Sequence, residues 1–203
     1  MKNLKRRFFI KSSSLVAGGL VLPSFNINRM ANSANNKKLK VSVVGCGGRG
    51  TGAAVQALRA DENFELVAMA DAFKDRLEKS LNAIKQEFEG EKKIEVKEKN
   101  MLVGFNGYKK AIDLADVVIL ATPPGFRPLH FKYAIDQDKH VFMEKPVATD
   151  AHGVRQVLET AKVANQKKLN VVVGLQRRYQ YSYLNILKQV RRGVIGKITS
   201  GQV

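Results

Sequence analysis

The 203-residue sequence predicts an α/β fold built on a doubly wound parallel sheet. Three observations carry that expectation. Apolar runs alternate with amphipathic stretches, the βαβα order of a parallel sheet with helices on both faces. The run Val117-Val118-Ile119-Leu120-Ala121 is continuously apolar, as expected of a strand covered on both sides. The first apolar run, from Leu39, passes directly into Gly45-Cys46-Gly47-Gly48-Arg49-Gly50 and then Gly52, Ala53 and Ala54. A strand that turns through G-x-G-x-x-G into a small-residue helix marks a Rossmann-type sheet.

The elements follow in order from local chemistry. Val41, Val43 and Val44 define a first strand over about 39–45, because β-branched residues suit a pleated surface. Its helix covers about 50–59, and Phe64 to Ala70 forms a second strand ending in Asp71. The next helix begins near Phe73 and keeps Phe73, Leu77, Leu81, Ile84 and Phe88 on one stripe. The charged stretch Gly90 to Asn100 reads as a surface loop leading to a short strand at 101–103, and a small helix surrounds Tyr108 to Leu114. Thr122-Pro123-Pro124-Gly125 ends the strand at 116–121, since proline cannot donate to a ladder, and a helix follows over about 128–137. Residues 140–143 form the next strand. Asp150 caps a helix with Val154, Val157, Leu158 and Ala161 on one face. Val171-Val172-Val173 is a further strand, a helix over 181–192 stops at Gly193, and Ile198 begins a last strand.

The net charge is +17, which raises the question of nucleic-acid binding. Its distribution argues against that class. Residues 1–40 hold nine of the 35 Lys and Arg and no Asp or Glu, leaving 26 basic against 18 acidic residues in the rest. Those charges are interspersed, as in Lys74-Asp75-Arg76, and read as solvated surface. The single Cys46 rules out an internal disulfide and any multi-cysteine metal site, and no metal is expected. In the glycine turn Cys46 serves as a small side chain.

Residues 1–34 read as an address and linker. Lys5-Arg6-Arg7-Phe8-Phe9-Ile10-Lys11 resembles the twin-arginine export signal, followed by a short apolar stretch, Leu15 to Leu22, and small residues at 31–34. Lys5 departs from that pattern, which prefers Ser or Thr there. The apolar stretch is too short for a membrane span. The resemblance implies passage through the twin-arginine translocon to the periplasm as a folded protein, with its nucleotide loaded beforehand and held tightly.

The glycine turn has a chemistry of its own. Gly45 permits a tight turn, Gly47 lets backbone approach a diphosphate, and Gly50 lets the helix pack close on the sheet. The helix N-terminus offers N–H groups and a partial positive charge, with Cys46, Gly48 and Arg49 in the same loop. Asp71, 21 residues after Gly50, suits hydrogen bonding to an adenosine ribose. These features predict a dinucleotide, with NAD favoured over NADP because a carboxylate repels a 2′-phosphate. Lys74 and Arg76 leave NADP open if their side chains turn inward.

Three further clusters fall at the carboxyl ends of later strands, where ligands bind in such sheets. They are Ala121-Thr122-Pro123-Pro124, Glu144-Lys145-Pro146, and Gly174-Leu175-Gln176-Arg177-Arg178-Tyr179. With the glycine turn and Asp71 they resemble the Gfo/Idh/MocA family, that of glucose-fructose oxidoreductase and inositol dehydrogenase, over residues 39–203. The resemblance implies a nucleotide-binding Rossmann domain over 38–176. It also implies the beginning of an α+β substrate domain over 177–203, truncated here, so that this chain alone is expected to be inactive. It implies hydride transfer between NAD or NADP and a secondary hydroxyl of a sugar, polyol or cyclitol, by a protein that is a homo-oligomer when full length. By position Lys145 is the catalytic residue beside the nicotinamide. There like-charge repulsion eases the sharing of its proton with the substrate, and Glu144 is placed to orient its ammonium. Thr122 and Pro123 line the cofactor. His130 matches a frequent family histidine, though a helix-capping role fits it equally. Gln176 and Arg178 match positions near nicotinamide and substrate, or else bind the sheet edge or the second domain. Two alternatives stand beside this reading. One is a related group of glycosidases that use bound NAD, which tend to lack an intact Glu-Lys-Pro. The other is a nucleotide-binding module without turnover.

Overall fold

A computed structural model describes residues 38–202. The export-signal reading of residues 1–34 lies outside the described residues. Six strands form one parallel sheet: β1 (Leu39–Val44), β2 (Phe64–Asp71), β3 (Met101–Val103), β4 (Val117–Leu120), β5 (His140–Met143) and β6 (Val171–Val173). Their spatial order is β3-β2-β1-β4-β5-β6, so the chain reverses direction across the sheet between β1 and β4. That reversal opens a crevice above the carboxyl ends of those two strands, the place where doubly wound sheets bind ligands.

Helices α1 (Gly48–Ala60) and α2 (Lys74–Glu87) cover one face, and α3 (Gly107–Asp113), α4 (Arg127–Asp136) and α5 (Ala151–Gln166) the other. Strand alternation divides the core accordingly. Val41, Val43 and Ile119 pack with Ala54, Leu58, Leu77 and Ile84 on the first face. Val44, Val118, Leu120 and Met143 pack with Ile112, Phe131 and Ile135 on the second. In β2 the alternation is re-phased by a bulge: the register shifts between Val41 and Ser42, whose partners are Leu66 and Ala68. The extra residue, Val67, lets Leu66 and Met69 both serve the first face although they stand three apart. A sixth helix, α6 (Tyr181–Arg191), buries no residue in the chain as described.

Several expectations are corrected. Phe73 is not part of the α2 stripe: it is the extended residue before the helix and is 56% exposed, whereas Leu77, Leu81, Ile84 and Phe88 are buried. On α5 the buried face is Gly153, Val157, Thr160 and Ala164, while Val154, Leu158 and Ala161 are exposed. The cause is the close approach of Gly153, whose added Cβ would lie 3.0 Å from Ala148 and 3.1 Å from Pro128. That close approach places the buried face on the Gly153 side of the helix, with Val157 common to both faces. The cap is as expected, Asp150 Oδ1 accepting from the Gly153 N–H. The charged stretch 90–100 is more than a loop, because Ile94 forms a parallel bridge with Leu66 and packs against the core with Val96. No strand begins at Ile198; residues 197–202 lack regular structure.

Candidate functional site

A cleft of about 770 Å³ opens at the crevice between β1 and β4. Its floor is the glycine turn. Gly45 has φ +98°, and a Cβ there would lie 2.5 Å from the Thr122 nitrogen. A Cβ on Gly50 would lie 1.9 Å from the Gly45 carbonyl oxygen, so the first turn of α1 rests on the turn itself. Gly47 differs: nothing lies within 4 Å of its added Cβ, which leaves the backbone facing open space. Gly47 is also the N-cap of α1, with no side-chain cap and no acid in the first turn. The uncapped N–H groups and the helix dipole therefore suit an anion. A glycine cradle of this shape fits a dinucleotide diphosphate.

Asp71 closes one side. Its Oδ2 accepts from the Cys46 N–H at 2.7 Å and its Oδ1 from the Phe73 N–H at 2.9 Å, which ties the end of β2 to the turn. Each carboxylate oxygen retains lone-pair capacity for a ligand hydroxyl. Arg76 lines the cleft with its guanidinium 5.5 Å from the Phe73 ring centre. Lys74 turns instead toward Glu78, 3.6 Å away on the surface.

The other side comes from the end of β5. Lys145 and Pro146 line the cleft, joined by a cis peptide bond. Glu144 is buried, and its Oε1 accepts from Arg49 Nε at 2.8 Å and Nη2 at 2.6 Å. The carboxylate fits because residue 174 is glycine: an added Cβ would lie 2.7 Å from Oε1. Glu144 is thus paired with Arg49 of the glycine turn. Its charge is answered by the nearest guanidinium, and Arg49 spans the cleft to reach it.

The wall between these sides is built by the turn after β4 and by α4. Arg127 is 2% exposed and donates through Nη1 to the Pro146 carbonyl and through Nη2 to the Thr122 carbonyl. Burial lowers its pKa, opposed by the nearby Glu144 carboxylate. His130 Nδ1 lies 3.2 Å from Thr122 Oγ1, and the ring packs 4.2 Å from Tyr108. Burial, then the positive charge of Arg127, pushes its pKa down to about 4. The ring is therefore neutral at neutral pH and binds the Thr122 hydroxyl, so the capping role does not describe it. Phe105 and Phe126, centres 6.0 Å apart, extend the apolar rim.

The cleft gathers most of the residues singled out in the sequence: Gly45, Gly47, Arg49, Asp71, Thr122, Pro123, His130, Glu144, Lys145 and Gln176 all line it. Cys46 contributes only backbone. Its side chain is buried with Sγ 3.4 Å from the Ala70 carbonyl, and burial foremost pushes the thiol up to about 12, which removes nucleophilic character. Gly48 and Gly50 shape α1 without lining the cleft. Arg178 does not line it either. Gln176–Arg178 is a 3₁₀ turn, and side chains two apart in such a turn point about 120° from each other. Arg127 was not foreseen, and neither was the role of Gly174. An arginine after Gly-Phe and a glycine after three valines carry no signal of what they touch. Among the described residues no group of three or more His, Cys, Asp or Glu is placed to hold a metal ion.

Comparison with known proteins agrees with this geometry. Residues 39–175 match the family described as an oxidoreductase family with the NAD-binding Rossmann fold. The chain is 27% identical over 223 residues to glycosyl hydrolase family 109 protein 1 of Shewanella sp. (strain ANA-3), an alignment covering 100% of this chain and 46% of that protein. It thus spans about half the length of the curated relatives it matches. Myo-inositol 2-dehydrogenase of Lactobacillus plantarum superposes with a TM-score of 0.63 at 28% identity, over 80% of this chain and 43% of that one. Scyllo-inositol dehydrogenase of Lactobacillus casei, solved with NAD(H) and scyllo-inositol bound, superposes with a TM-score of 0.62 at 25% identity, over 80% and 44%.

The histidine gives a stability prediction. In the unfolded chain His130 takes a proton near pH 6.5, but in the fold only near 4. Stability is complete above about pH 6.5 and is lost as pH falls toward 4, because only the unfolded state binds the proton in that window. The loss amounts to about 3 kcal/mol at its full extent. Denaturant titrations at pH 7 and 4.5 should show a smaller decline for His130→Gln than for the unsubstituted protein. Equal declines would discard this assignment.

Proposed function

The chain belongs to the Gfo/Idh/MocA oxidoreductase family through the NAD-binding Rossmann fold of residues 39–175, and from that premise we propose that it is the nucleotide-binding part of an NAD(P)-dependent dehydrogenase. Its substrate would be a sugar, polyol or cyclitol bearing a secondary hydroxyl. The observation that carries the reading is the single cleft that unites the glycine cradle, Asp71 and Lys145. The inositol dehydrogenases that superpose on this fold support the substrate class.

When bound, a nicotinamide dinucleotide supplies the acceptor and donor of hydride. The rest falls to side chains. The α1 N-terminus and Arg49 hold the negative diphosphate, and Asp71 accepts hydrogen bonds from a ribose hydroxyl. His130 fixes the Thr122 hydroxyl in the cleft wall. Lys145 Nζ exchanges a proton with the substrate hydroxyl oxygen as that carbon gains or loses hydride. Asp71 favours NAD, while Arg76 beside Phe73 offers a cation to a 2′-phosphate. A second reading is a glycosidase that oxidises its sugar transiently, favoured by the name of the glycosyl hydrolase relative. The intact Glu144-Lys145-Pro146 weighs toward the dehydrogenase. Release of nitrophenol from a nitrophenyl glycoside would favour the glycosidase. We also propose twin-arginine export to the periplasm from Arg6-Arg7, with a tightly held nucleotide.

Three outcomes test these proposals. Calorimetry should detect NAD binding, and with the substrate domain present Lys145→Ala should leave that affinity nearly intact while lowering polyol oxidation about 10²–10⁴-fold; undiminished oxidation would remove Lys145 from the mechanism. Asp71→Ser should weaken NAD about tenfold or more and shift preference toward NADP, with Arg76→Ala shifting it the other way. An unchanged NAD to NADP ratio in both would refute the assignment. Replacing Arg6 and Arg7 together with Lys should retain the protein in the cytoplasm, as seen by fractionation, and continued export would exclude the twin-arginine route.

A further inference from the structure

Arg127 is a buried cation with unusual partners. Its terminal nitrogens go to two main-chain carbonyls, Pro146 and Thr122, and its Nε has no partner among the described residues. Glu144 is the acid whose field it feels. A buried charge is a weak way to stabilise a fold, because apolar groups of the same volume serve as well or better. An apolar group cannot hold two separate backbone segments in fixed relation, however. Arginine can, because its planar fork presents several donors at set angles, whereas a lysine ammonium acts as a point.

We infer that Arg127 is a positioning residue: its fork ties the loop after β4, at Thr122, to the loop after β5, at Pro146, and so fixes where Lys145 stands in the cleft. This rests on the reading of Lys145 as the proton-exchanging group beside a bound dinucleotide. The two tied carbonyls belong to a residue of the cleft wall and to the residue directly after Lys145. On its other side Lys145 follows Glu144, whose carboxylate is held by Arg49. Lys145 itself is exposed to the cleft. Lys145 therefore stands between a residue whose side chain is held by Arg49 and one whose carbonyl is held by Arg127, while it is itself exposed. Arg127 touches no reacting atom in this scheme, and its effect passes entirely through the backbone.

The test reads the placement of the amine without a substrate. Lys145 acylation by acetic anhydride is followed by peptide mass spectrometry with and without saturating NAD, in the unsubstituted chain, Arg127→Met and Arg127→Lys. Calorimetry gives the NAD affinity of each, and circular dichroism reports folding. NAD should slow acylation of Lys145 about fivefold or more in the unsubstituted chain, a shielding equivalent to about 1 kcal/mol. In Arg127→Met that protection should disappear while NAD affinity stays within about threefold, and Arg127→Lys should recover only part of it. Full protection in Arg127→Met would overturn the inference. So would a folded Arg127→Met whose NAD affinity falls in step with its protection, since Arg127 would then serve nucleotide binding. If Arg127→Met does not fold, Arg127→Lys decides alone, and full protection there overturns the inference. Failure of NAD to bind or to protect Lys145 in the unsubstituted chain overturns the functional reading first, and this inference with it.

Discussion

The cleft depends on the contact between the first turn of α1 and the end of β1. With only 1.9 Å between the Gly45 oxygen and the place a Gly50 Cβ would occupy, no side chain fits there without lifting the helix. Gly45 faces a similar limit against Thr122, at the end of the neighbouring strand. The two glycines therefore set the height of α1 above the sheet and its separation from β4. Arg49 lies one residue before Gly50, so the same contact sets how far its guanidinium reaches. Had α1 stood one side chain higher, the hydrogen bonds at 2.6 and 2.8 Å to Glu144 would not form. The steric minimum at the turn thus passes directly into the electrostatics of the opposite wall.

Charge is distributed around the cleft according to the same geometry. Asp71 is neutralised in effect by backbone N–H groups of Cys46 and Phe73, Glu144 by Arg49, and the buried Arg127 by two carbonyl oxygens and the field of Glu144. Cys46, Arg49 and Pro146 each come from a different segment from the charge they answer, so these contacts act as cross-links between loops that the sheet alone would leave independent. The desolvation of each charge is offset only while those partners stay in place. Asp71, Glu144 and Arg127 are consequently held by specific partners. The apolar rim of Phe73, Phe105 and Phe126 carries no such restraint, and all three rings are substantially exposed.

The sequence made the fold legible because its signals are local. Val41 to Gly50, the continuous run at 117–121 and the Asp150 cap each announce an element through the residues that form it. The structure departs from the local pattern where distant contacts override it. The local stripe does not mark the buried face of α5, where Gly153 approaches Pro128, and stretch 90–100 has no local strand signal because its bridge partner, Leu66, lies far away in the chain. The site divides in the same way. Gly45, Asp71 and Lys145 stand in motifs that single them out in the sequence, and all three line the cleft. Arg127 and Gly174 have meaning only through Pro146, Thr122 and Glu144, and nothing in their own neighbourhood of sequence indicates those partners.

That division has a chemical reason. A lysine that exchanges a proton must keep its amine uncommitted, since any strong partner would compete with the substrate. Its position then has to be imposed through the main chain and the adjoining residues. Here Met143 and Glu144 are buried, Glu144 donates its backbone N–H to the Leu120 carbonyl, and the Pro146 carbonyl accepts from Arg127, while Lys145 between them is exposed. The residue proposed to exchange the proton is conspicuous in the sequence because chemistry dictates its type. The groups that place it are inconspicuous because geometry alone dictates theirs, and several different side chains could satisfy it elsewhere. For this fold the fork of a single arginine reaches both carbonyls with separate donor atoms, and the two loops that it joins lie apart in the sequence.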